Sequence, residues 1–143
     1  MTSEQKALVQ SSFSQVMLIS HLAAGLFYDR LFELDPTLRA LFKSDMREQQ
    51  RKLMQMLEVV VKGLDNLDTL IPAVEALGKR HVSYGVTEDH YETVGRALID
   101  TLETGLGSKF TPNVREAWMA AYGLLASVMK QSTAAAIPEV CAV

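Results

Sequence analysis

Apolar residues recur at three- and four-residue intervals along almost the whole chain, and strict alternation is hard to find, so the pattern predicts helices rather than sheet. A first helix is expected from about Ser3 to Ile19, N-capped by Thr2 or Ser3, with Ala7, Leu8, Phe13, Val16 and Met17 toward the core. A second, broad on its buried side, carries Leu18, Leu22, Ala24, Gly25, Tyr28, Leu31 and Phe32. Asp35-Pro36 closes it, because the residue before proline is pushed out of helical geometry, and Pro36 opens a short helix through Leu41 that ends near Phe42.

Lys43 to Glu48 reads as a polar connection into a long helix, where Leu53, Leu57, Val60, Val61 and Leu64 form one continuous stripe. Asp65-Asn66 starts a loop, and Pro72 opens a helix with Val74, Leu77, Gly78 and His81 on one face, ended at Tyr84-Gly85. Thr87 is the expected cap of the next helix, lined by Tyr91, Val94, Leu98 and Leu102 and halted at Gly105-Leu106-Gly107. Thr111-Pro112 opens the last helix, which presents Trp118, Tyr122, Leu125 and Met129. Beyond Lys130 the periodicity is lost and Pro138 intervenes, so a single domain over 1–131 and a flexible tail over 132–143 are expected. Six or seven helices with short loops make an all-α domain, but spacing does not choose between a bundle and other helical folds.

Composition narrows the partners. Fourteen Lys plus Arg against seventeen Asp plus Glu give a net charge of −3, which disfavours a nucleic-acid partner. The single cysteine, Cys141, allows no intrachain disulfide and points to a reducing, cytoplasmic setting; only Ala142 and Val143 follow it, too few for prenylation. The polar N-terminus lacks a secretory pattern, and the longest apolar run, Val16 to Tyr28, is broken by Ser20 and His21 and falls short of the ~20 residues that span a bilayer. A soluble chain with no membrane partner is the expectation.

Candidate chemistry begins with the three histidines, His21, His81 and His90. His81 ends an apolar helix face on which no second His, Cys or carboxylate stands three or four residues away, so a zinc site there is disfavoured. A lone imidazole suits a metal that brings most of its own ligands, as haem iron does, and is otherwise a satisfied or half-exposed core residue. Taken alone, Tyr28 reads as a core tyrosine and Gln49 as a surface glutamine, while Met54, Met56, Met119 and Met129 read as packing.

Six ordered blocks carry a resemblance that single residues do not. They are Phe27-Tyr28-Asp29-Arg30-Leu31-Phe32, Pro36-Thr37-Leu38-Arg39-Ala40-Leu41-Phe42, Gln49-Gln50-Arg51-Lys52-Leu53, Lys79-Arg80-His81, His90-Tyr91-Glu92-Thr93-Val94-Gly95 and Ala117-Trp118-Met119-Ala120-Ala121-Tyr122-Gly123. Together they resemble bacterial globins, both single-domain haemoglobins and the globin half of flavohaemoglobins, over roughly residues 3–131.

The resemblance implies a globin fold around one b-type haem. His81 matches the proximal ligand, Phe42 the phenylalanine against the porphyrin, Tyr28 the distal tyrosine and Gln49 the distal glutamine. Leu53 matches the apolar residue one turn further on, and Leu77 and Val86 fall among the positions lining the haem. Gln49 is preferred over Gln50 because it keeps four-residue spacing to Leu53. Lys79 and Arg80 are candidates for the haem propionates or for plain solvation. Thr133 stands where flavohaemoglobins carry a glutamate that, with Tyr91, polarises the proximal histidine, so peroxidase-like chemistry is less supported. The implied function is reversible binding of O2, NO or CO, an oxygen-binding or oxygen-transport role. A nitric oxide dioxygenase served by a separate reductase and a haem-based gas sensor are the alternatives.

Overall fold

In the computed structural model, residues 1–42, 45–83 and 88–140 are described, with side chains over 1–42, 45–80 and 89–130. Among them the chain forms six α-helices and two short 3-10 helices, with no strand. The first helix, α1 (Ser3–Met17), opens on a reciprocal cap: the Thr2 hydroxyl accepts from the Gln5 amide at 3.1 Å, and the Gln5 side chain accepts from the Thr2 amide at 3.0 Å. It ends two residues before Ile19, because the amides of Leu18 and Ile19 bond only three residues back, to Gln15 and Val16. Its buried face is Val9, Ser12, Phe13 and Val16. Ala7, expected inside, is exposed, since two residues before Val9 lies about 200° around the helix.

A similar rotation corrects α2 (Ser20–Leu34). Leu18 and Leu22 are 86% and 60% exposed, and the core takes Ala23, Ala24, Phe27, Tyr28 and Leu31 instead. The non-helical Ile19 separates Leu18 from α2, so the stripe starts at Ala24 and repeats at i+3, i+4 and i+7. Asp35 then caps the 3-10 helix Pro36–Leu41, its carboxylate accepting from the Thr37 amide at 3.1 Å, and Phe42 follows it. The expected polar connection is helical from Met46: α3 (Met46–Gly63) is capped by Asp45, which accepts from the Arg47 amide at 3.0 Å.

Pro72 does not open a helix. It lies inside α4 (Leu67–Ser83), whose start is set by the Asn66 carbonyl accepting from Thr69 and Leu70. Proline forfeits one backbone bond there, and burial of Leu70 and Val74 on one face outweighs that loss. The expected breaks at Tyr84-Gly85 and Thr87 lie outside the described residues. The next helix, α5 (Glu88–Leu106), buries Tyr91, Leu98 and Leu102, and Gly107 turns the chain at φ 57° into the 3-10 helix Gly107–Lys109. Thr111 caps α6 (Pro112–Val140), accepting from the Val114 amide at 3.3 Å. The backbone stays helical past Lys130, where the apolar repeat ends and the sequence predicts a stop.

The core is pinned at α6. The Trp118 indole N–H donates to the buried Ser12 hydroxyl at 2.8 Å, which in turn donates to the Leu8 carbonyl at 2.6 Å, tying α6 to α1. The Tyr122 hydroxyl donates to the Tyr91 carbonyl at 2.5 Å, tying α6 to α5, and Arg30 bonds Asp100 at 2.8 Å between α2 and α5.

Candidate functional site

Three of the predicted residues meet in one corner. Tyr28 on α2 is only 4% exposed, its ring set edge-on to Phe27 at 5.0 Å and to Phe42 at 5.4 Å. Phe32 completes the aromatic cluster at 5.6 Å from Phe42, with the Arg39 guanidinium over its outer face at 5.3 Å. Into this apolar setting α3 brings one amide: the Gln49 Nε2 donates to the Tyr28 hydroxyl oxygen at 3.2 Å. Gln49 reaches it because Asp45 starts α3 four residues earlier and the Gln49 amide bonds the Asp45 carbonyl, locking the first turn. It is Gln49, and not Gln50, that makes this bond.

Burial pushes the Tyr28 phenol up to about 12, and the Gln49 hydrogen bond, which favours the charged form, offsets this only in part. At neutral pH Tyr28 is therefore an un-ionised phenol whose oxygen already accepts one bond. Its own O–H meets no acceptor among the described residues.

Leu53, one turn beyond Gln49, is half-buried and lines an apolar cavity of about 20 Å³ together with Phe27, Leu57, Leu102 and Trp118. Leu77 is half-buried on α4, and Lys79 and Arg80 are exposed. The backbone of His81 continues α4 one turn past Leu77, but its side chain lies outside the described residues, as do Val86 and the side chain of Thr133.

A wider opening lies elsewhere. A groove of about 510 Å³ runs between α5 and α6, lined by Tyr91, Tyr122, Ala126 and Lys130; of the residues singled out from sequence it takes in Tyr91 but not Tyr28, Phe42, Gln49, Leu53 or Leu77. Behind it sequence reasoning missed a close fit: a Cβ on Gly95 would stand 2.6 Å from the Tyr122 ring, so glycine there lets Tyr122 reach the Tyr91 carbonyl. It also missed Phe32 and Arg39 as the outer wall. The Phe-rich run Phe27 to Phe42 was the available signal.

A globin family model matches residues 25–129. A flavohemoprotein of Vibrio cholerae is 36% identical over 105 residues, covering 71% of this chain and 27% of that protein. Neuroglobin of Danio rerio is 28% identical over 148 residues, covering 94% of this chain and 93% of that protein. The chain spans less than a third of the flavohemoproteins it matches. Among solved structures, an engineered carbene transferase from Rhodothermus marinus superposes with a TM-score of 0.88 at 26% identity, over 99% of both chains. No helix among the described residues is long and apolar enough to cross a membrane. With the matched stretch covering 25–129 and the helices running in the order described, the chain belongs to the globin family.

Proposed function

We propose that the chain holds one b-type haem, with His81 as the iron ligand and Phe42, Leu53, Leu77 and Val86 against the porphyrin, and that it reversibly binds O2, with NO or CO as further guests. The observation that carries this reading is the buried Tyr28 phenol, held by Gln49 with its O–H left to donate. The residues suit the group: an apolar corner of edge-to-face aromatic rings, one neutral donor and a half-buried leucine a turn away are what a small, weakly polar guest on a porphyrin calls for. Haem would supply a ferrous iron that binds diatomic gases.

The remaining chemistry belongs to the chain. Gln49 occupies one lone pair of the Tyr28 oxygen, and the phenol O–H donates a hydrogen bond to the guest and keeps its proton. A guest that gains negative charge on binding, as O2 does, is stabilised more than CO. A hydrogen bond to a charged acceptor contributes ~1.5–3 kcal/mol, which corresponds to roughly 10- to 150-fold in affinity. The test is stopped-flow dissociation of both gases. Tyr28→Phe keeps the ring and should raise the O2 dissociation rate by about tenfold or more while CO shifts much less. Small equal changes for the two gases would make Tyr28 an ordinary core tyrosine.

The likeness to flavohemoproteins favours a second reading, nitric oxide dioxygenase. One NO, one O2 and one electron give one nitrate, and here a separate reductase would supply the electron. NO-dependent NADH oxidation that needs an added reductase distinguishes it from a carrier, and a partner protein that answers to gas binding would mark a sensor.

A further inference from the structure

The two helices α4 and α6 meet at one point with no side chain between them. Gly78 is buried, and a Cβ built on it would stand 2.9 Å from both the Cα and the carbonyl oxygen of Met129 and 3.2 Å from its Cβ. Non-bonded carbons rest at about 3.5–4.0 Å, so glycine alone permits this approach. The obstructing atoms are backbone, which no rotamer change moves aside. The other glycines differ: a Cβ on Gly63 would press only on the Leu70 side chain, and one on Gly25 or Gly123 would meet nothing within 4 Å.

Gly78 continues the buried stripe of Leu70 and Val74 at successive four-residue steps, and residue 81 follows it by three residues, about 4.5 Å further along the axis. The partner helix has little freedom to yield. Within the turns before Met129, α6 is held to α1 by the Trp118–Ser12 bond and to α5 by the Tyr122–Tyr91 bond. A methyl group added at 78 therefore displaces α4 rather than α6, one turn before the residue read above as the iron ligand.

We propose that Gly78 is a positioning residue: its backbone contact with Met129 clamps α4 on α6, and thereby sets where α4 presents the ligand at 81 and how strongly that ligand binds iron. The inference rests on the reading of His81 under the proposed function. It assigns control of gas affinity to a helix seat that touches no guest.

The experiment compares Gly78→Ala in two backgrounds of the haem-loaded protein, native His81 and His81→Gly with added imidazole. Resonance Raman reads the iron–imidazole stretching band of the ferrous form, and flash photolysis reads CO association. With His81 present, Gly78→Ala should move the band and change CO association by about twofold or more, in either direction. With free imidazole, which is not tethered to α4, the same substitution should leave both unchanged. Gly123→Ala, on open surface of α6, is the neutral control. An unmoved band in Gly78→Ala, or equal changes in both backgrounds, overturns the proposal. If that variant yields no folded protein, Val74→Ala unseats the same face by removing atoms; a moved band supports the clamp and an unmoved one overturns it. Unchanged haem uptake and spectrum in His81→Gly without imidazole would instead refute the reading of His81 itself.

Discussion

Alkaline pH should weaken the fold through Tyr28, and Tyr28→Phe should be the more alkali-resistant protein. The ordinary phenol titrates at 10.0, and burial raises Tyr28 to about 12. Between those values the unfolded chain has released the proton while the folded chain retains it, so the unfolded state binds fewer protons and stability falls as pH rises. The stabilisation is fully present below about pH 10 and is lost as pH climbs through about 12. A rise of about two pKa units sets a ceiling of about 3 kcal/mol, and roughly half of that is gone at pH 11. The group is 4% exposed, so solvent screening removes little of this. Burial also raises Tyr122, but it is present in both proteins and cancels in the comparison. Urea unfolding of the CO-saturated ferrous protein at about pH 9 and pH 11 measures the effect: the wild type should lose ~1 kcal/mol more than Tyr28→Phe over that interval. The Gln49 bond is absent from the variant at both pH values, so its loss also cancels. Equal losses in the two proteins would show that the hydroxyl is solvated when folded, and would remove the buried donor on which the proposed function rests.

Two further substitutions probe the frame around the site. Gly95→Ala places a carbon 2.6 Å from the Tyr122 ring, so it should cost about 1–3 kcal/mol in urea melts and weaken the Tyr122–Tyr91 tie; a neutral result would mean that α5 and α6 are further apart than described. Ser12→Ala strands the buried Trp118 indole N–H and should cost ~1–3 kcal/mol, whereas in a Trp118→Phe background the same substitution should cost much less; equal costs in the two backgrounds would deny that the two groups are partners.

Boundaries written in local chemistry were legible from sequence. Thr2, Asp35-Pro36 and Thr111-Pro112 cap or open helices through their own side chains and rings, and the structure starts elements at each. Pro72 misled because proline at the start of a helix and proline tolerated inside one look alike until Leu70 and Val74 are seen to be buried together. Leu18 and Leu22 misled for a related reason: an apolar residue at a corner satisfies the period without facing anything. At the candidate site, the four-residue step from Gln49 to Leu53 was readable, but the bond from Gln49 to Tyr28 joins residues 21 apart and depends on how α2 and α3 approach. Gly78 and Gly95 were the least readable, since a glycine within a helix registers only as a local cost until the backbone or ring that needs the space is known.

The aromatic corner and the α4 seat also act on different quantities. Tyr28→Phe keeps the ring and removes the hydroxyl alone, so on the proposed reading it alters the ratio between a charged guest and a weakly polar one. The contact at Gly78 touches no guest and, on the reading of His81 as the iron ligand, would act through that residue whichever gas is bound. Gly78→Ala should therefore move O2 and CO kinetics together, where Tyr28→Phe separates them. Ligand preference and overall affinity would then be adjustable independently, one by a hydroxyl on α2 and the other by the absence of a methyl on α4. The double variant tests that independence: if the two sites act separately, the ratio of its O2 dissociation rate to that of the unsubstituted protein should equal the product of the two single-variant ratios, to within the ~0.3–0.5 kcal/mol expected of uncoupled sites.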